Sequence, residues 1–101
     1  MDPSREQILV VDDEEELRTA IVDILTVEGF EVDQAVSGEE AGEKLSQTAY
    51  DVLITDHNLP GRTGVDLLEE SLVRYPEIIG IIITGYGTIE TAVNAMKKGA
   101  P

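Results

Sequence analysis

Oxygen-bearing side chains follow three short apolar runs of the chain. Asp12 and Asp13 follow residues 8–11, Asp56 follows residues 52–55, and Thr84 follows residues 79–83. The carboxyl ends of parallel strands meet at one edge of a sheet, where open α/β folds bind ligands. Carboxylates gathered there repel one another unless a cation neutralises them. The pattern therefore predicts a Mg²⁺ site beside an aspartate that can accept a phosphoryl group.

The elements that would position these residues alternate between apolar runs and helical patterns. Strands are predicted at residues 8–11, 30–36, 52–55 and 78–83, and helices at 14–28, from 37, at 64–75 and from 88. This alternation is typical of βαβ units that form a parallel sheet. We expect one domain over residues 1–101, with a doubly wound α/β fold and the flavodoxin-like strand order 2-1-3-4(-5).

The periodicity of the helices predicts which of their side chains face the core. The residues expected inward are Leu17, Ile21, Ile24 and Leu25 in the first helix and Val65, Leu68 and Leu72 in the third. Ser37, followed by Glu40, predicts a capping box at the start of the second helix. Residues 58–64 contain one Pro and two Gly, so we expect a loop without regular structure there.

The fourth predicted strand is the most apolar segment of the chain, and the sequence given stops at Pro101. In this strand order the fourth strand is interior, so we expect a fifth strand and a fifth helix beyond Pro101. Without them, residues 78–83 would form a flat, uncharged edge that invites pairing with another chain. A homodimer through this edge would cover it.

Composition excludes several classes of function. The chain has 21 acidic and 7 basic residues, a net charge of −14 and no Cys. Such a charge repels phosphate backbones and anionic lipid, so we expect neither nucleic-acid binding nor membrane binding by this segment. The absence of Cys and of an apolar stretch before Ile8 favours a cytoplasmic location.

Four segments of the sequence resemble the receiver domain of two-component response regulators. These are ILVVDDEEELR, DVLITDHNLPGRTG, IIITGYGTIETAV and AMKKGA, in the order and spacing of that family. The run TGYGTIETAV with AMKKGA is similar to receivers of nitrogen-regulator-type transcriptional activators. The resemblance implies a signalling domain, not an enzyme in the usual sense, that takes a phosphoryl group from a sensor histidine kinase and reports to an output domain or partner protein.

The resemblance also implies a role for each site residue. Asp56 matches the phosphoacceptor, and Asp12 and Asp13 match the acidic pair that holds Mg²⁺ together with Asp56. Asn58 matches the position whose backbone carbonyl completes the metal shell. Thr84 matches the switch hydroxyl that turns toward the phosphoryl group. The phosphate-pairing Lys and the coupling aromatic of the family lie on the fifth strand, so Lys97, Lys98 and Tyr86 are not their equivalents.

Two other functions compete with the phosphorylated switch. A receiver-like module that binds partners without phosphorylation is favoured by the lack of that Lys and opposed by the intact acidic residues. A metal-dependent phosphatase with an Asp nucleophile would share the acidic site. However, it would need a second acidic residue two positions after the nucleophile, where this chain has Asn58.

Overall fold

A computed structural model describes residues 6–83 of the chain. Its main elements are β1 (Gln7–Val11), α1 (Glu15–Val27), β2 (Glu31–Ala35), α2 (Gly38–Gln47), β3 (Val52–Asp56), β4 (Asn58–Leu59), β5 (Arg62–Thr63), α3 (Gly64–Arg74) and β6 (Ile79–Ile83). The predicted helix from residue 88 lies outside the described residues. No helix within residues 6–83 combines the length and the apolar character needed to cross a membrane.

The four long strands form one parallel sheet in the order β2-β1-β3-β6. This confirms the predicted order, because β6 is the fourth strand of the sequence analysis. The strands β1 and β3 pair in register from Ile8 opposite Val52 to Val11 opposite Thr55. Their carboxyl ends therefore stop side by side, and the residues that follow β1 lie next to those that end β3.

Both faces of the sheet are packed by helices, as doubly wound folds require. Leu9, Val11 and Leu53 face α2 and α3, whereas Ile8 and Ile54 face the α1 side. All of these strand residues are buried. Apolar strand residues on both faces explain why the strands appear in the sequence as continuous apolar runs. The buried parallel strands therefore fix the position of the sheet edge at which the acidic residues lie.

The predicted inward faces of two helices are partly wrong. In α1, Leu17 and Ile24 are exposed, and the buried residue is Arg18. In α3, Val65 and Leu72 are exposed, and the buried residues are Gly64, Leu67 and Ser71. Each helix makes a contact at the carboxyl edge of the sheet that apolar periodicity does not report. Arg18 donates to the carbonyl of Asp12, which follows β1, and Gly64 packs against the end of β3.

The segment 58–64 also differs from the prediction. It contains a short antiparallel hairpin in which β4 pairs with β5, with Leu59 opposite Arg62. Pro60 and Gly61 close the hairpin, and Gly61 has a φ of +83°. A Pro followed by a Gly with positive φ is typical of a tight turn, and here that turn brings two short strands together.

The predicted capping box of α2 is only half formed. The Ser37 side chain accepts a hydrogen bond from the Glu40 N–H, but the Glu40 carboxylate accepts from the N–H of Val36 instead of Ser37. The complete capping box lies at the start of α3. There Thr63 and Asp66 each accept a hydrogen bond from the backbone N–H of the other. This box stabilises the helix start that follows the hairpin.

Candidate metal and phosphoacceptor site

Asp12 is the first residue after β1, and its side chain is almost completely buried, with 1% exposed. Its Oδ1 accepts a hydrogen bond from the Glu14 N–H at 2.8 Å. Its Oδ2 is buried and has no hydrogen-bond partner among the described residues. Buried carboxylate oxygens are usually paired with a donor or a metal ion. Asp12 therefore has one oxygen atom free to bind a ligand.

Asp13 and Asp56 complete a cluster of carboxylates with Asp12. One ligand oxygen from each lies within 4.8 Å of those of the other two. Asp56 is the last residue of β3 and half-buried, and Asp13 is exposed. The register of β1 and β3 brings these residues together although they are far apart in the sequence. The structure thus brings together the three aspartates that the sequence analysis selected.

The electrostatics of the cluster favour a bound cation. Burial raises the pKa of the Asp12 carboxyl above its ordinary value, although the hydrogen bond from the Glu14 N–H opposes the rise. The negative charges of Asp56 and Asp13 raise this pKa further. A divalent cation would relieve both the desolvation and the repulsion. Hard carboxylate oxygens are the ligands that Mg²⁺ prefers, so the residues present fit this ion.

Asn58 lies beside the cluster in the β4–β5 hairpin. Its N–H donates to Asp56 Oδ1 at 3.3 Å, so this segment contacts the carboxylate directly. The Gly64 N–H donates to the His57 carbonyl at 2.8 Å and closes the hairpin onto the end of β3. A Cβ at Gly64 would overlap the Asp56 carbonyl oxygen. The absence of a side chain at position 64 therefore lets α3 begin directly against the Asp56 backbone.

Thr84 lies outside the described residues, but the strand that precedes it is positioned beside Asp56. Ile83, the last residue of β6, is opposite Asp56 in the parallel register. The carbonyl of Ile83 accepts a hydrogen bond from the His57 N–H at 2.9 Å. The backbone that leads into Thr84 thus reaches the same edge of the sheet as the three aspartates.

Sequence reasoning missed one residue that contacts the site, Arg18. Its side chain is buried, and its Nη1 donates to the Asp12 carbonyl at 2.9 Å. A signal was available, because Arg18 shares a helical face with Ile21, Val22 and Leu25 at spacings of three, four and seven. These three residues pack against the sheet, so Arg18, which lies on the same face of the helix, is buried as well.

A second polar cluster lies away from the acidic site and consists of Asp33, Lys44 and Tyr50; we call it the Asp33 cluster. Lys44 donates to Asp33 Oδ1 at 2.9 Å, and the Tyr50 hydroxyl donates to Oδ2 at 2.8 Å. Burial would raise the pKa of Asp33, but these hydrogen bonds outweigh it and hold the pKa below the ordinary value. Burial, with Asp33 nearby, raises the pKa of Tyr50 to about 12. The cluster ties β2 to α2 and to the segment before β3.

Comparison with known sequences identifies a family. A family model described as "Response regulator receiver domain" matches residues 8–101. The chain is 44% identical to a putative NtrX-like response regulator of Rickettsia bellii over 95 residues, which are 92% of this chain and 20% of that protein. The chain thus spans about a fifth of the length of such curated relatives. The similarity to an NtrX-like regulator agrees with the nitrogen-regulator type indicated by the sequence motifs.

Solved structures of similar proteins share the fold. The response regulator TrrA of Thermotoga maritima in complex with Mg²⁺–BeF is 33% identical with a TM-score of 0.77, over 94% of this chain and 81% of that one. TrrA bound to the histidine kinase ThkA matches over 81% of this chain and 71% of that one, at 36% identity with a TM-score of 0.74. The beryllofluoride-activated NtrC4 receiver domain dimer is 37% identical with a TM-score of 0.76, over 93% of this chain and 78% of that one.

Proposed function

The chain belongs to the response regulator receiver domain family, and on this basis we propose that Asp56 accepts a phosphoryl group from a sensor histidine kinase in a Mg²⁺-dependent step. The observation that carries the proposal is the cluster of Asp12, Asp13 and Asp56 at the carboxyl edge of the sheet. A carboxylate oxygen of Asp56 forms a bond to phosphorus as the bond from phosphorus to the kinase histidine nitrogen breaks. The product is an acyl phosphate.

Mg²⁺ would be held by Asp12, Asp13, Asp56 and the backbone carbonyl of Asn58. When bound, the ion supplies positive charge that screens the acidic site and allows an anionic donor to approach. Asp12 is rigidly held by its hydrogen bond to the Glu14 N–H, and its free Oδ2 is the oxygen best prepared to bind the ion. Asp56 is half-buried, so its carboxylate is accessible to a donor from solvent.

We assign Thr84 the role of the switch hydroxyl, which donates to a phosphoryl oxygen on Asp56. The pairing of Asp56 with Ile83 supports this role, because Thr84 is the next residue of the chain. Attraction between the hydroxyl and the phosphoryl group would shift a pre-existing equilibrium between two conformations of this segment. Thr84 and the residues that follow it lie outside the described residues.

The partners follow from the same role. TrrA, a similar protein, has been solved in complex with a histidine kinase, and we propose a sensor histidine kinase as the phosphoryl donor for this chain. An output domain or a partner protein would read the switched state. The NtrC4 receiver domain forms a dimer, and we propose that this chain also pairs with itself, through the edge of β6. We place these events in the cytoplasm, where histidine kinases phosphorylate their regulators.

Phosphorylation from a small donor tests the proposal. The polypeptide as its gene encodes it is incubated with acetyl phosphate with and without Mg²⁺, and its intact mass is measured. We expect one added phosphoryl group that requires Mg²⁺, is lost in Asp56→Asn, and is retained in the control Asp23→Asn on the exposed surface of α1. Unchanged incorporation in Asp56→Asn would refute the assignment. No incorporation by a protein that binds Mg²⁺ would instead favour a phosphorylation-independent interaction module.

A further inference from the structure

Arg18 is a buried cation of α1, with 8% of its surface exposed. Its Nε donates to Gln34 Oε1 at 2.8 Å, and its Nη1 donates to the Asp12 carbonyl at 2.9 Å. The ion pairs found within residues 6–83 involve other cations, so Arg18 is bound by neutral oxygens instead of a carboxylate. Burying a guanidinium costs free energy unless its donors are satisfied. Its position must therefore depend on these two acceptors.

Among residues 6–83, the hydrogen bonds of Asp12 leave a single polar atom without a partner. Its N–H donates to the Ala35 carbonyl at 3.1 Å, and its Oδ1 accepts from the Glu14 N–H at 2.8 Å. Its carbonyl accepts from Arg18, which leaves Oδ2 without a partner among the described residues. Arg18 is the only side chain among these partners. The carbonyl that Arg18 binds belongs to the peptide unit that joins Asp12 to Asp13. The orientation of this peptide unit therefore determines the backbone positions from which both carboxylate side chains extend.

We propose that Arg18 is a positioning residue that orients the Asp12–Asp13 peptide so that both carboxylates can bind a divalent cation. This inference rests on the proposed Mg²⁺ site. Residues that hold metal ligands in place typically change metal affinity by about 10- to 100-fold when they are replaced. The sign of the effect is informative, because a positive charge near a cation site opposes binding. If Arg18 acted only through its charge, removing it would tighten Mg²⁺ binding, whereas loss of positioning weakens it.

Calorimetric titration of Mg²⁺ into the polypeptide as its gene encodes it tests this inference. The variants are Arg18→Met, which keeps an unbranched stem, and Arg18→Lys, which keeps the charge but loses the planar fork of donors. The matched control is Arg74→Met, which removes the same charge from the exposed end of α3. Thermal unfolding of each variant establishes a temperature at which all are folded. The dissociation constant then reports on the folded protein alone.

We expect Arg18→Met to bind Mg²⁺ at least about 10-fold more weakly than wild type, with a smaller loss in Arg18→Lys and none in Arg74→Met. Wild-type affinity in Arg18→Met, or tighter binding, would overturn the inference even if the variant were less stable. Should Arg18→Met fail to fold, unchanged affinity in Arg18→Lys would overturn it. A wild-type chain that binds no Mg²⁺ would instead refute the proposed metal site itself.

Discussion

Replacing Asp12 with Asn should stabilise the metal-free protein. The Asp12 carboxylate is buried, and its oxygen lies within 4.8 Å of those of Asp13 and Asp56. With an effective dielectric constant of about 20, two like charges at such a distance repel by about 3 kcal/mol. Asp13 is exposed, so solvent screens part of this repulsion, and we expect a gain of about 1 to 3 kcal/mol. An amide can keep the hydrogen bond from the Glu14 N–H and donate to the neighbouring carboxylates.

Urea unfolding followed by circular dichroism measures this gain in EDTA and in excess Mg²⁺. If Mg²⁺ is present at about 100 times its dissociation constant, wild type should gain about 2.7 kcal/mol, and Asp12→Asn should gain much less. The control Asp23→Asn changes the net charge of −14 by the same amount, but Asp23 lies on the exposed surface of α1. Two results would refute this prediction: an Asp12→Asn protein that is no more stable in EDTA than Asp23→Asn, or one that Mg²⁺ stabilises as much as wild type.

Three further predictions concern the elements that support the site. Gly64→Ala should destabilise the fold by about 1 to 3 kcal/mol, because the Cβ of the alanine would overlap the Asp56 carbonyl. Thermal unfolding measures this loss, and an unchanged melting temperature would contradict the prediction. Leu67→Ala should lower the free energy of unfolding by about 2 to 5 kcal/mol, measured in urea, because Leu67 is buried. Leu72→Ala should lower it much less, because Leu72 is exposed, and equal losses would contradict this difference in burial. Asp33→Asn should cost up to about 1 kcal/mol at neutral pH, because Asp33 is partly exposed and solvent screens its ion pair. Since the pKa of Asp33 is lowered in the folded state, this contribution is complete above its ordinary value of 3.8 and disappears as the pH falls below it. A difference between Asp33→Asn and wild type that persists at acidic pH would contradict this.

The positions of the acidic residues could be predicted because they depend on strand topology alone. The apolar runs that form β1 and β3 are each followed or ended by an aspartate, and the parallel pairing of these two strands brings their ends together. The structure places Asp12, Asp13 and Asp56 in one cluster, and the role that the family resemblance implies for each of them stays a prediction.

Which side chains of α1 and α3 face the core could not be predicted in the same way. Apolar periodicity placed Ile24 and Leu72 inward, but both are exposed. In α1 the buried Arg18 donates to the Asp12 carbonyl, and in α3 Gly64 lies against the Asp56 backbone. These are contacts between distant parts of the chain, which a pattern within one helix does not report.

We propose that Asp56, with Mg²⁺ bound beside it, carries the phosphoryl group. Its most direct test is to locate the modification, by reducing the acyl phosphate of the phosphorylated polypeptide with borohydride and sequencing its peptides by mass spectrometry. We predict that the reduced residue is Asp56 and that it is absent from samples prepared without Mg²⁺. Modification of a different residue, or of Asp56 to the same extent without Mg²⁺, would contradict the account.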